Sequence, residues 1–178
     1  TRGVFTDRHC HALWTAKTIL RLFPDRSTVI AEVGAGLGIL AGVLYELGYH
    51  DYTTFDLANA NACQANFLHR NFPEAKMTLS GGTESPFNQR AGFKILHASE
   101  FKNTPHGMFD VLINCDSLTE MIYEDAVEYV NSPASKSLLS VNQEQNDFRV
   151  IDIVTQKKLQ WRYPFWVRPG YVEEFFHV

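Results

Sequence analysis

The chain has 178 residues, 45% hydrophobic and 20% charged, with a formal net charge of −4; this is the size and composition of one globular domain. The acidic balance, without any Lys/Arg stripe interleaved with aromatics, argues against a nucleic-acid partner. No apolar run approaches the ~20 residues that span a bilayer, and Thr1-Arg2-Gly3-Val4 does not begin an apolar leader, so a cytoplasmic protein without a membrane partner is expected.

Short β-like runs alternate with stretches of helical period from the first residues onward. Leu13, Ala16, Leu20 and Phe23 place a leading helix near residues 8–22, stopped by Pro24-Asp25 ahead of a first strand over 28–33. After a glycine-rich turn, Leu40, Val43, Leu44 and Leu47 fall at i, i+3, i+4 and i+7 on one helix face, closed by Gly48. A strand over 52–56, a helix over 58–70, a loop containing Ser80-Gly81-Gly82-Thr83 and Ser85-Pro86, and a strand over 93–97 follow. The next strand is 108–114, and Leu118, Met121, Ile122, Ala126 and Tyr129 predict one helix from Ser117 to Val130. A fifth strand spans 136–141. Two more, 159–165 and 171–178, flank the turn at Arg168-Pro169-Gly170 and read as an antiparallel pair. The expected fold is an α/β, Rossmann-like three-layer sandwich with a mostly parallel seven-stranded sheet, as a single domain over 1–178. The missing initiator Met suggests a further N-terminal region. Nothing in the sequence sets the oligomeric state.

Three cysteines, Cys10, Cys63 and Cys115, are widely spaced and lack a C-x-x-C pair, so they read as reduced, mostly buried thiols. The sequence Glu32-Val33-Gly34-Ala35-Gly36-Leu37-Gly38 lies between a strand and an amphipathic helix. Glycines there allow a tight turn and close backbone approach, and the helix start offers free N–H groups to a ligand. A dinucleotide loop of the G-x-G-x-x-G type needs its third glycine at position 39, which is Ile here, and this weakens a nicotinamide-cofactor reading. Asp56, at the end of the second strand, is spaced to accept two hydrogen bonds from the ribose hydroxyls of an adenosine ligand.

The acid-G-x-G-x-G loop and distal Asp56 resemble class I S-adenosylmethionine (SAM)-dependent methyltransferases. The segments 109–121, 139–144 and 166–174 resemble the sugar O-methyltransferase family, and the likeness runs from about residue 28 to the end. The resemblance implies SAM as cofactor at the carboxyl ends of the strands. Glu32, Gly34, Ala35, Gly36 and Gly38 would lie near its methionine portion, Asp56 at the ribose, and Ala98 and Ser99, with His97, at the adenine, with Leu57 and Asn114 also contacting the cofactor. It implies a small-molecule or glycan acceptor methylated on a sugar hydroxyl. Another small acceptor, or a non-catalytic nucleotide-binding module, are the alternatives.

Methyl transfer to an alcohol needs an aligned oxygen and a proton acceptor. Asp116 and Glu144 follow the fourth and fifth strands at the same sheet edge as the glycine loop, and Glu120 lies nearby, so these three are the catalytic candidates. Ser117-Leu118-Thr119-Glu120 also fits a capping box, which gives Glu120 a structural role instead. Asn114 and Asn142 suit either a ligand or strand-end backbone groups. A divalent metal held by Asp116, Glu120 and Glu144 is conceivable chemically but not favoured. His9 and His11, two apart on a helix, point in different directions and read as surface or packing residues unless the leading helix lids the site. Trp161, Tyr163, Phe165 and Trp166 read first as core, although an exposed Trp166 beside the ligand pocket would suit sugar stacking.

Overall fold

The computed structural model describes residues 5–82 and 85–178. The opening segment 1–4 and Thr83 of the expected loop lie outside them. In chain order the elements are α1 (Asp7–Leu22), β1 (Ile30–Val33), α2 (Ile39–Glu46), β2 (Asp51–Asp56), α3 (Ala58–Asn71), β3 (Met77–Leu79), β4 (Gly92–His97), β5 (Phe109–Cys115), α4 (Tyr123–Asn131), β6 (Ser135–Gln143), α5 (Val150–Ile153), β7 (Lys158–Pro164) and β8 (Tyr171–His177). Short 3-10 turns occupy Pro86–Asn88, Ala98–Asn103 and Leu118–Glu120.

The strands form one sheet in the order β3-β4-β2-β1-β5-β6-β8-β7. The first six run parallel. β8 is antiparallel to β6, and β7 to β8. The parallel body with an antiparallel C-terminal pair is therefore as expected, but the sheet has eight strands rather than seven. The added one is β3, three half-exposed residues on the far edge.

The parallel strands are covered on both faces, so consecutive residues such as Ile30 and Ala31 are both fully buried in opposite layers. Ile30, Tyr52, Phe93, Val111 and Leu139 pack beneath α1 and α2 together with Ala16, Ile19, Leu40 and Leu44. Ala31, Phe55, Leu96, Leu112 and Leu138 form the other layer with Ala126 and Val130 of α4 and Val150 and Ile153 of α5. Each large apolar side chain buried in this way contributes on the order of 1.5–3 kcal/mol. The N-terminal helix is pinned to the antiparallel end by Glu173, whose carboxylate accepts from Thr18 Oγ1 at 2.8 Å and Trp14 Nε1 at 3.3 Å.

Three further expectations need correction. The single helix over 117–130 is broken. Leu118–Glu120 form a 3-10 turn, Met121 and Ile122 are extended, and Ile122 is 69% exposed as the residue preceding α4. Cys10 and Cys63 are exposed on α1 and α3, and only Cys115 is partly buried. Of the four C-terminal aromatics, Phe165 is core, whereas Tyr163, on the outer strand β7, is 59% exposed and Trp166, in the turn after it, 69%.

Candidate active site at the carboxyl ends of the strands

Chain order along the sheet reverses at β1: β2 and β4 lie on one side, β5 and β6 on the other. In such sheets the crevice outside the carboxyl ends at the reversal is where ligands bind. The loop leaving β1 fills this position. Gly34, Gly36 and Gly38 have φ of +69°, +56° and +80°, values that L side chains adopt only under strain.

Gly34 donates its N–H to Phe55 O at 2.9 Å and Gly38 to Ala35 O at 2.9 Å. A Cβ on Gly34 would stand 2.0 Å from Ser117 Oγ, whereas one on Gly36 would meet nothing within 4 Å. The loop therefore packs tightly against the end of β5 at its first glycine and is open at its second. Asp56 finishes the geometry: Oδ2 accepts from Gly36 N at 2.8 Å and Oδ1 from Leu57 N at 2.7 Å. A carboxylate has about four acceptor positions, so each oxygen retains one. Leu57 next to it is 62% exposed.

Sequence reasoning missed Gln64. Its amide spans the loop, donating from Nε2 to Gly36 O at 3.2 Å while Oε1 accepts from Thr54 Oγ1 at 2.5 Å. The sequence signal for it is its i, i+4 spacing from Leu68, which puts a glutamine on the inward face of the helix.

Glu32 lies beneath the loop rather than on its open side. It is 3% exposed and accepts from the Tyr52 phenol at 2.9 Å. Burial pushes its carboxyl up to about 7; the Tyr52 hydrogen bond opposes this and the Asp56 charge adds to it.

Asn114 and Asn142 belong to a buried amide network. Asn114 Nδ2 donates to Val33 O at 2.7 Å and to Ser117 Oγ at 2.5 Å. Asn114 Oδ1 accepts from Leu118 N at 3.1 Å and Asn142 Nδ2 at 2.9 Å. This network ties the end of β1 to the ends of β5 and β6. It also diverts Ser117, whose hydroxyl faces Val33 O at 3.3 Å, so the capping box does not form. Ala98 and Ser99 open the 3-10 turn after β4, where His97 Nδ1 lies 2.8 Å from Ser99 Oγ. Both line a cavity of about 220 Å³ with Phe101, Lys102, Asp125, Glu128 and Tyr129.

The three acids proposed for chemistry have different surroundings. Asp116 follows β5 at φ +65°. Its side chain is 6% exposed; Oδ2 accepts from Arg8 at 2.6 Å and from Arg168, and Oδ1 from the Tyr171 phenol. Burial alone would raise its carboxyl, but the hydrogen bonds from Tyr171, Arg168 and Arg8 outweigh it and hold the group below the usual range. Asp116 is thus a fixed anion clamping α1 and the β7–β8 turn to the end of β5, and a poor proton acceptor. Glu144 pairs with Arg162, which also donates to Glu174 at 2.8 Å, and Glu120 is exposed. Among the described residues no three His, Cys, Asp or Glu groups are arranged to hold a metal.

The two histidines separate as expected from their spacing. His9 caps its own helix, its Nδ1 accepting from Thr6 N at 3.1 Å. His11 is 6% exposed against Phe165, with ring centroids 4.7 Å apart. Trp166 stacks edge-on against Trp14 at 4.9 Å, on the same side of α1.

No protein-family model matches the chain, and no curated protein is similar to it in sequence. Solved structures share its fold. The magnesium protoporphyrin IX methyltransferase of Synechocystis PCC 6803 with bound S-adenosylhomocysteine (SAH) aligns with a TM-score of 0.66 at 10% identity, over 99% of this chain and 88% of that one. A SAM-dependent methyltransferase from Aquifex aeolicus gives 0.63 at 11% identity, over 90% and 88%. The Pyrococcus abyssi tRNA (uracil-54, C5)-methyltransferase in complex with SAH gives 0.62 at 15% identity, over 93% of this chain and 37% of that one. At these identities the likeness is one of fold. Because a tRNA enzyme is among these structures, the expected exclusion of a nucleic-acid partner is not supported. Among the described residues, no helix is long and apolar enough to cross a membrane.

Proposed function

We propose that the chain is a SAM-dependent methyltransferase that methylates a sugar hydroxyl. The observation carrying the reading is the open second glycine of the β1 loop with the Asp56 carboxylate fixed beside it. The residues present fit the cofactor. Gly36 leaves room for a ligand, Asp56 keeps one free acceptor position on each oxygen for two vicinal ribose hydroxyls, exposed Leu57 offers an apolar surface to adenine, and Ala98 and Ser99 directly follow His97, the register partner of Asp56 on β4.

When bound, the sulfonium supplies an activated methyl group. The protein's part is to align an acceptor oxygen in line with it and exclude water. Asn114 and Ser117 hold the end of β5 against Gly34, fixing the wall of the crevice. Asp116 positions Arg8, Arg168 and Tyr171 as a polar rim. Exposed Trp166, which packs edge-on against Trp14 of α1, is the aromatic face that suits a sugar acceptor, because aromatic faces stack on the C–H face of a pyranose.

The test is methyl transfer from labelled SAM to free sugars, glycosides, phenols, amines and tRNA. Label on a sugar oxygen is the expected result. Label on another small acceptor or on tRNA would overturn the sugar assignment while leaving methyl transfer standing.

A further inference from the structure

Arg8 and Arg168 bring two guanidinium groups to one carboxylate oxygen. Asn114 is the register partner of Val33, the residue before the glycine loop, and Asp116 follows two residues on, at the same edge of the sheet. Its Oδ2 accepts from Nη1 of Arg8 at 2.6 Å and from Nη1 of Arg168, while the Tyr171 phenol donates to Oδ1. One guanidinium and a phenol suffice to hold a carboxylate, so the second guanidinium leaves a surplus positive charge at the contact. Asp7 and Glu120 act on this cluster through space, but among the described residues neither pairs with an arginine. Each guanidinium carries five N–H donors in a rigid fork, and among the described residues Asp116 engages only the Nη1 end. The Arg8 side chain is 55% and that of Arg168 36% exposed, so both meet solvent as the chain is folded. Arg168 also lies over the Tyr171 ring, 4.0 Å from its centroid, which fixes the plane of its fork. Two residues before it, on the same turn, Trp166 presents its exposed face.

We propose that the sugar acceptor carries an anionic group, a carboxylate or a phosphate ester, which Arg168 and Arg8 bind. The proposal rests on the sugar methyltransferase reading and narrows its substrate class. A planar fork matches the spacing of two oxygens on either group and holds them through paired charge-assisted hydrogen bonds. The C–H face of the sugar ring meets Trp166 on the same turn. A neutral sugar gains the aromatic contact without the ionic one, so the two arginines set specificity. Asp116 keeps its own part, holding both arginines in place, because the ligand takes donors that Asp116 does not use. Uronates and sugar phosphates share this chemistry and differ in charge and size.

Titrations of the whole chain with glucuronate, glucose 6-phosphate and, as the neutral control, methyl glucoside test this, followed by ¹H–¹⁵N spectra of the Trp166 indole and Arg168 Nε–H. At low salt and with SAH present, at least one anion should bind about tenfold or more tightly than methyl glucoside, and added NaCl should weaken it. Which anion binds more tightly tells a uronate acceptor from a sugar phosphate. Arg168→Gln should remove this preference and Arg8→Gln should reduce it. Each variant keeps one guanidinium and Tyr171 on Asp116, so each should stay folded by circular dichroism and bind SAH within about threefold of wild type. Anions that bind wild type no better than methyl glucoside would overturn the proposal. A preference that survives in both variants would also overturn it, by placing the anion elsewhere. The same titrations without SAH read the arginines independently of the cofactor. Failure of SAH to bind wild type counts against the methyltransferase reading, whereas SAH binding with no preference for anions strikes this proposal alone.

Discussion

Replacing Gly34 by alanine is expected to destabilise the fold by about 2–4 kcal/mol and to abolish SAH binding. Two effects combine. The residue sits at φ +69°, and its new Cβ would fall 2.0 Å from Ser117 Oγ and 2.6 Å from Ser117 Cβ. Neither the loop nor Ser117 is free to yield. Gly34 N–H is bonded to Phe55 O, and Ser117 is held by Asn114 and by Asn142 Oδ1, which accepts from its N–H at 3.2 Å. Urea denaturation measures the loss. A double-mutant cycle with Ser117→Gly assigns the steric part, because removing that side chain should recover the overlap but not the φ penalty. An alanine variant as stable as wild type would mean that the close approach of the β1 loop to β5 is not as described.

The second large effect is a pH dependence set by Glu32. Its carboxyl is raised from an ordinary 4.5 to about 7 in the folded chain, chiefly by burial. The fold therefore favours the protonated form. The associated stability is complete below about pH 4.5 and is lost as pH rises through about 7, by about 3 kcal/mol in all. Glu32→Gln keeps a neutral side chain that can still accept from Tyr52, so its stability should lack this decline. Urea midpoints from pH 5 to 8.5 should fall for wild type and stay nearly level for the variant, apart from the titration of other groups. Parallel curves would show that Glu32 ionises without cost.

Why some of this was legible in the sequence and some was not has local causes. The glycine loop and Asp56 were readable because their constraints are local. Three positive-φ turns require glycine, and the strand–turn–helix flanks show their own periodicities. β3 was missed because three half-exposed residues on an edge carry no alternation. The helix over 117–130 looked continuous because Leu118, Met121, Ala126 and Tyr129 are at helical spacing, yet Asn114 and Asn142 capture Ser117 and Leu118 at the end of β5 and force a separate turn.

The S-x-x-E pattern failed for the same reason: the competing partner, Val33 O, belongs to a strand 84 residues earlier. Asp116 was rightly singled out as an acid at the sheet edge. Of its two expected roles, substrate orientation and proton removal, the second is disfavoured by partners the sequence does not show: Arg8, 108 residues away, and Arg168 and Tyr171, 52 and 55 residues away. Periodicity and spacing report neighbours along the chain; pairings across such separations depend on topology.

The central claim is that the β1 loop and Asp56 form a SAM site, and calorimetric titration of SAH into the wild-type chain and Asp56→Ala tests it most directly. Asp56 offers charge-assisted hydrogen bonds to the ribose and also anchors Gly36 and Leu57. The variant should therefore bind about 100-fold more weakly or not at all while remaining folded by circular dichroism. Saturable wild-type binding that depends on Asp56 is the predicted result. A folded wild-type chain that takes up no SAH, or an Asp56→Ala variant that binds it equally well, would contradict the account.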